Sequence, residues 1–457
     1  MTTLSTRSPV RPIARTLTVN RGLSQEKAVN WVLSAMFFIT LFRATGMWYG
    51  YPAIFEQGVG VDPMPLQLIL YSLIPLLVAY ACLEPLKLLS YMKRTTFLVY
   101  VVCGFCVLSV LKSIDVMASF RGLIAVVLLA VSPLLYRMRY GNEATMKAFV
   151  NFTIICLYIN AAYTAVCPQY AIMRGHYNGD LRGMFLHKNL FGHFSAVSFI
   201  ALFTLKREAM RFTWRNIIYW GAVLIALADV VFSKSSTAII MVALGLGTIY
   251  GIRWLQNVPN PFNRAMILLF TVIGGGVGLS LIFLVVIGIV ATFFGKDLTF
   301  SGRSEIWSAL LPLIYDKPWT GYGFAISRQP TFMAEYVHLS WGAKSTHNTY
   351  IEMLLNIGVI GVGAWLGYIF TRMFQKLTTI FTTASAKDAQ AKEVAIILMI
   401  VAGSMAEAGM MLAPLYLWPC LVLMLPLAPG PRSLSQGRRR RPARIVRRVQ
   451  EAPSDVR

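Results

Sequence analysis

The run at 65–83, PLQLILYSLIPLLVAYACL, carries no charged side chain; the basic stretch EPLKLLSYMKRT follows at 84–95, and a second apolar run, TFLVYVVCGFCVLSVLK, occupies 96–112. As α-helix the first run is about 28 Å long, close to the roughly 30 Å hydrocarbon thickness of a bilayer. A helix on the surface of a soluble domain keeps a charged face, which this run lacks. Lys87, Lys93 and Arg94 between the two runs mark a cytoplasmic turn, because Lys and Arg collect in loops on that side.

The pattern repeats outward along the chain. Apolar runs lie near 28–47, 65–83, 96–112, 119–136, 148–168, 185–205, 216–232, 236–252, 265–292, 350–370, 394–412 and 413–429. They predict an all-α polytopic membrane protein with about twelve transmembrane helices. Composition agrees, with 13% charged and 56% hydrophobic residues and a mean hydropathy of +0.61. Soluble domains average about 25% charged residues and disordered chains lack this much apolar surface, so both classes are excluded.

The net charge of +23, from 42 Lys and Arg against 19 Asp and Glu, is explained by topology before any nucleic-acid partner is needed. With both basic termini cytoplasmic, the loops holding Arg137, Arg139 and Lys147, then Lys206 to Arg215, Arg253 and Arg264, and Arg372 to Lys392 all fall inside. The expected organisation is a basic cytoplasmic N-terminus at 1–27, transmembrane helices 1–9 at 28–292 and a large periplasmic loop with short helices at 293–349. Helices 10–12 at 350–429 and an Arg-rich cytoplasmic tail at 430–457 complete it. The first run lacks a cleavage site and reads as a retained signal anchor. The tail segment RRRRPARIVRR at 438–448 reads as a topology anchor that attracts anionic lipid. The six Cys lie in or at the ends of spans, and Cys103-x-x-Cys106 reads as packing rather than metal ligation.

What remains on the outer side is informative. Arg43, Lys112, Arg121, Arg174, Arg182, Lys188, Lys234, Lys296, Arg303, Lys317, Arg328 and Lys344 fall there, with His176, His187, His193, His338 and His347. Basic groups this close to hydrocarbon are costly unless they pair or face a cavity, which points to an anionic ligand. The outer carboxylates form no Asp-x-Asp pair, so a metal-held diphosphate is not expected. Arg, with its bidentate fork, suits phosphate oxygens directly.

Three pieces stand out in the late loop. Apolar positions 306, 310 and 313 after Ser301-Gly302-Arg303 predict a short amphipathic helix on the membrane surface, limited by Pro312. Pro318-Trp319-Thr320-Gly321-Tyr322-Gly323 is a tight-turning loop. Ser345-Thr346-His347-Asn348 comes directly before a span and sets His347 at the water–membrane boundary. A second constellation, Arg182 to His193, opens the sixth span, and Ser233-Lys234-Ser235-Ser236 joins the next two spans near Asp229, where Lys234 either pairs or snorkels outward. Arg182 has Asp180 as a nearby salt-bridge partner, and the intramembrane Glu407 is either functional or simply paired.

Together these pieces resemble the O-antigen ligase and polysaccharide polymerase superfamily of bacterial inner membranes. The resemblance rests on many spans, one large late outer loop, Gly302-Arg303-x-x-x-Trp307, Gly321-x-Gly323, and His347-Asn348 separated by nine residues from Gly358. The paired Thr often found just beyond is replaced by Gly361 and Val362. With Lys188-Asn189 and Ser233-Lys234-Ser235, this is closer to exopolysaccharide polymerases than to ligases.

The resemblance implies transfer of a saccharide from an undecaprenyl-diphosphate donor to a sugar hydroxyl at the periplasmic face, without a cofactor or metal. It implies His347 as general base or acceptor-orienting group, Arg303 and Arg182 on the diphosphate, and Lys188 and Lys234 as further cations. Asn348, Trp307 and Tyr322 join as substrate-binding candidates, with Trp307, Trp319 and Tyr322 either stacking on sugars or anchoring the loop. The expected partners are the lipid-linked donor, a glycan or lipid A-core acceptor and membrane lipids. An O-antigen ligase is the alternative enzyme, and a polysaccharide transporter or flippase the alternative of another class. A transporter is expected to show internal repeats, and none is evident between the halves.

Overall fold

The computed structural model describes residues 13–47, 64–93, 97–175, 179–203, 213–260, 262–264, 266–267, 303–337, 346–382, 388–405 and 420–422. Among these residues the chain is helical and forms no strand, with one isolated bridge between Ile172 and Leu181. The first half holds α1 (Ile13–Thr45), α2 (Met64–Tyr71), α3 (Leu73–Leu83), α4 (Pro85–Lys93), α5 (Phe97–Leu111), α6 (Val116–Val166) and α7 (Pro168–Ala171). Then come α8 (Lys188–Leu202), α9 (Trp214–Phe232), α10 (Ser236–Gln256), α11 (Arg303–Asp316), α12 (Pro330–Tyr336), α13 (Thr349–Thr382) and α14 (Asp388–Gly403).

Six stretches among the described residues are long and apolar enough to cross a membrane: Ser24–Thr45, Leu66–Leu83, Val116–Val166, Trp214–Phe232, Ser236–Gln256 and Thr349–Phe381. The bent pair Pro85–Met92 and Phe97–Leu111 makes a seventh if taken as one span. The protein is therefore a multi-pass α-helical membrane protein. Against the expected twelve, α8 and α14 are only 15 and 16 residues long, and the runs at 265–292 and 413–429 lie almost wholly outside the described residues.

The expected fourth and fifth spans form one 51-residue segment, α6, which would be about 77 Å long if straight. It is not straight, because Gly141 takes φ 79° and ψ 172°. Phe37 of α1 stacks on Tyr136 at 4.2 Å between ring centroids, while its neighbour Phe38 lies 6.3 Å from Phe152. Tyr136 and Phe152 would stand about 24 Å apart on a continuous helix. Both meet the same turn of α1, so α6 doubles back at Gly141 into two membrane-length halves.

In lipid there is little hydrophobic gain from pairing helices, so close packing of small residues and polar contacts sets the arrangement. The core pairs α10 with α14 and α8, α9 with α8, α13 with α5, and α1 with α6 and α3. At Gly245 of α10 an added Cβ would stand 2.6 Å from Met399 Sδ of α14, and at Gly403 of α14 one would stand 2.8 Å from Met241 Sδ. These reciprocal contacts run α10 and α14 antiparallel.

Two ends of the bundle result. One carries the ion pairs Arg139–Glu26 and Lys376–Glu393 and the hydrogen bond from Lys392 Nζ to the Ala201 carbonyl. The other gathers the starts of α6, α8, α10 and α13, with the 303–337 segment against them: Gly323 abuts Ser113, and Gly122 abuts Ala325.

The amphipathic helix exists as α11, with two corrections. It packs on protein, since Ile306 and Leu310 are fully buried in a cluster with Tyr322, Phe332 and Leu355. It also continues through Pro312 to Asp316. Pro312 lies on the exposed face of α11, where the cost is one helical hydrogen bond and a local clash rather than a buried orphan.

Candidate active site

His347 precedes α13 with φ 48°, in the left-handed region that residues bearing a Cβ enter at a cost. The flanking bonds hold it there. Trp307 Nε1 donates to the Thr346 carbonyl at 2.9 Å, and the Asn348 amide donates to Thr346 Oγ1 at 3.2 Å. Asn348 Oδ1 then accepts from the amides of Tyr350 and Ile351 at 2.9 and 3.2 Å, which is a helix N-cap. The role of Asn348 in this structure is thus to start α13 and fix the backbone of its half-buried neighbour His347. Arg303, the first residue of α11, shares a helix face with Trp307 one turn later, so the helix that carries Arg303 is tied to the His347 segment.

Gly358 explains the spacing of the motif. It breaks α13 with φ 69° and ψ 179°, and the normal bond from the Val359 amide to the Leu355 carbonyl is replaced. The Val359 amide donates instead to the Pro318 carbonyl at 2.8 Å, and the Leu355 carbonyl accepts from the Tyr322 amide at 2.6 Å. Both halves of the broken helical bond are satisfied by the 318–322 loop, as buried backbone groups require. A Cβ at Gly358 would stand 2.1 Å from the Trp319 carbonyl oxygen, and one at Gly321 would stand 2.3 Å from that of Leu355. Gly321 and Gly358 are two sides of one docking contact.

Beneath it lies a pair that the sequence reading missed. Glu352, 1% exposed, receives Arg328 bidentately, through Nε to Oε1 and Nη2 to Oε2, the latter at 3.1 Å. Asn356 accepts from the Ser327 amide at 3.1 Å and donates to Ser327 Oγ at 2.9 Å. The signal was present, because a carboxylate inside an apolar run demands a named partner. Tyr322 belongs to the same support. Its hydroxyl donates to Asp316 Oδ2 at 2.7 Å, its ring meets Phe332 and Tyr336, and Lys317 Nζ lies 4.4 Å from its centre. Burial pushes the Tyr322 phenol well above its ordinary value.

The second constellation is organised by Asp180. Its Oδ2 pairs with the buried Lys188 ammonium and its Oδ1 with Lys234 at 3.2 Å. Lys234 therefore pairs with Asp180. Arg182 Nε donates to the Tyr170 carbonyl at 3.0 Å, and burial lowers its guanidinium from the ordinary value. His187 Nδ1 accepts from the Asn189 amide at 3.2 Å and caps α8, while His193 is buried. Lys234, at φ 46°, sits between Ser233, whose Oγ accepts from the Ser235 amide at 3.2 Å, and Ser235, which caps α10.

The two constellations meet at α14. The Thr349 amide donates to the Ser404 carbonyl at 2.9 Å, and Tyr350 hydroxyl donates to the Val401 carbonyl at 2.7 Å. Gly403, between those two acceptors, abuts Met241 of α10, and Gly192 of α8 abuts Ser233 and Ser235. His347 and the Lys188–Asp180–Lys234 group thus occupy one end of the bundle. His176, Lys296, His338, Lys344 and Glu407 lie outside the described residues. No cluster of three or more His, Cys, Asp or Glu among the described residues is placed to hold a metal.

Comparison with known proteins gives two matches. Residues 221–366 match the family described as O-antigen ligase, a stretch that includes Lys234, Arg303, His347 and Gly358. Over 233 residues the chain is 24% identical to the exopolysaccharide production protein ExoQ of Rhizobium meliloti (strain 1021). That alignment covers 47% of this chain and 53% of ExoQ, so the match spans about half of the relative's length. The resemblance to the O-antigen ligase and exopolysaccharide polymerase superfamily is borne out.

Proposed function

We propose that this protein is a bacterial inner-membrane glycosyltransferase that extends exopolysaccharide or O-antigen repeat units from an undecaprenyl-diphosphate donor at the periplasmic face. The reading rests on one observation: a conformationally fixed histidine and a group of basic side chains share one end of a helical bundle. That end is taken as periplasmic, with about twelve spans and both termini cytoplasmic.

In the proposed reaction the His347 imidazole takes the proton from the acceptor hydroxyl as its oxygen bonds to the anomeric carbon of the donor saccharide. The bond from that carbon to the diphosphate breaks, and the electron pair leaves with the diphosphate. Arg303 and Arg182 face the charge that develops there, with Lys188 and Lys234 behind them. Asn348, Trp307 and Tyr322 position the loop and the histidine.

Polymerisation is preferred because the curated relative is named for exopolysaccharide production. Ligation to lipid A-core is the second reading, supported by the O-antigen ligase description of the matched family. A gel profile of saccharides from cells carrying wild type or His347→Ala at equal membrane level, beside a null strain, tests both. Single repeats accumulating in variant and null uphold polymerase, and unattached long polymer indicates ligase. Normal glycan in His347→Ala beside a defective null rejects the mechanism, and failure of lipid-linked repeats to reach the periplasm in the null points to a transporter.

A further inference from the structure

Among the described residues, the end of the bundle away from His347 buries more positive than negative charge. Tyr368, Arg372 and Lys376 stand one turn apart on one face of α13. Arg137, near the end of the first half of α6, lies beside Tyr368 and within electrostatic reach of Lys376. Arg137, Arg372 and Lys376 are 2%, 4% and 6% exposed. Glu393 of α14 is the carboxylate that meets them among the described residues, and it pairs with Lys376.

Among the described residues the contacts of Arg372 are neutral. Its Nη1 donates to Gln375 Oε1 at 2.9 Å, and its Cζ stands 5.5 Å from the centre of the Tyr368 ring. Its Nε is buried and has no acceptor among the described residues. A guanidinium does not shed its proton inside a protein. Buried beside neutral groups and like charges, it is costly unless an anion completes it. A planar donor fork next to a second guanidinium and an ammonium is the donor set that fits phosphate oxygens. Arg372 lies 13 residues beyond Val359, where α13 resumes after the break at Gly358, about 20 Å along the helix.

We propose that Arg137, Arg372 and Lys376 form a binding site for a phosphate-bearing anion at the end of the bundle opposite His347, with Arg372 as its principal donor. Phe370 and Phe374, 54% and 67% exposed, lie on the face of α13 turned away from Arg372. Basic pockets between transmembrane helices hold anionic lipid headgroups. Free phosphate shares the same chemistry.

Thermal unfolding of the purified full-length protein in neutral detergent tests the site, with added phosphatidylglycerol, phosphatidylcholine or inorganic phosphate. The expected result is a rise of several degrees in Tm with phosphatidylglycerol and none with phosphatidylcholine. Arg372→Met removes that rise and, without lipid, unfolds no earlier than wild type, because an uncompensated charge has gone. A purely structural arginine would instead lower Tm in every condition. An equal rise with inorganic phosphate keeps the site and makes its ligand soluble. Arg137→Gln is the second variant should Arg372→Met not fold, and it is expected to lose at least half of the rise. No rise in wild type with either phosphate source, or a full rise in the variants, overturns the proposal.

Discussion

Gly358→Ala asks whether the loop that supports the candidate site is held by the break in α13. The native φ of 69° with ψ of 179° belongs to a region that is almost entirely glycine's, and forcing alanine there costs about 1–3 kcal/mol. The added Cβ also meets the Trp319 carbonyl oxygen at 2.1 Å and the Thr320 nitrogen at 2.6 Å, which are backbone atoms without a flexible end to move. Relief requires the 318–322 loop to withdraw, breaking the Val359–Pro318 and Tyr322–Leu355 hydrogen bonds, each contributing about 1 kcal/mol net. The combined loss is about 3–5 kcal/mol. Hydrogen exchange on peptides covering 318–323 and 355–360 reads it directly, and protection of the Tyr322 and Val359 amides is expected to fall by about two to three and a half orders of magnitude. Gly363→Ala, where an added Cβ meets nothing within 4 Å, is the control and leaves exchange unchanged. Wild-type protection in Gly358→Ala, with the variant folded, would refute the account of the motif's spacing.

Other perturbations follow from the buried ion pairs. Glu352→Gln leaves the Arg328 guanidinium, 25% exposed, against a neutral amide, and the expected destabilisation is about 2–3 kcal/mol. Thermal unfolding measures it, and the double variant Arg328→Met/Glu352→Met recovers most of the loss if the pair rather than either residue matters. Asp180→Asn takes away the carboxylate shared by Lys188 and Lys234, so Tm falls, and adding Lys188→Met restores it. If Lys188 serves the diphosphate, that restored protein remains defective in glycan extension; wild-type glycan from it would remove Lys188 from the site. Asn348→Ala loses the cap bonds to Tyr350 and Ile351, which costs about 1 kcal/mol. It lowers extension together with His347→Ala rather than additively, and an additive loss in the double variant would show that the cap does not position the histidine.

What the sequence made legible, and what it hid, divide along a physical line. Span-forming runs announce themselves because nothing compensates for a long apolar segment in water, and the grouping of His347 and Lys234 at one end follows from counting crossings. Spans were easier to locate than to delimit: the charged stretch from Arg137 to Lys147 marks the reversal, but Gly141 makes it within a continuous helical segment, with no irregular loop between the two halves. Gly358 could be seen as a fixed spacing from His347, but its reason lies forty residues upstream in the Pro318 carbonyl, which accepts the amide that the break releases. Glu352 and Arg328 are invisible to any average over a window, because each is one charge among apolar neighbours and only the fold brings them together. The same holds for Asp180, which sits closer in sequence to Arg182 but gives its two oxygens to Lys188 and Lys234. A charge in an apolar run therefore states a requirement for a partner without naming one. Glu352 meets that requirement with Arg328, whereas among the described residues Arg372 has neutral contacts and an unsatisfied Nε, and that difference is the ground for seeing a brace at Glu352 and seeking a ligand at Arg372.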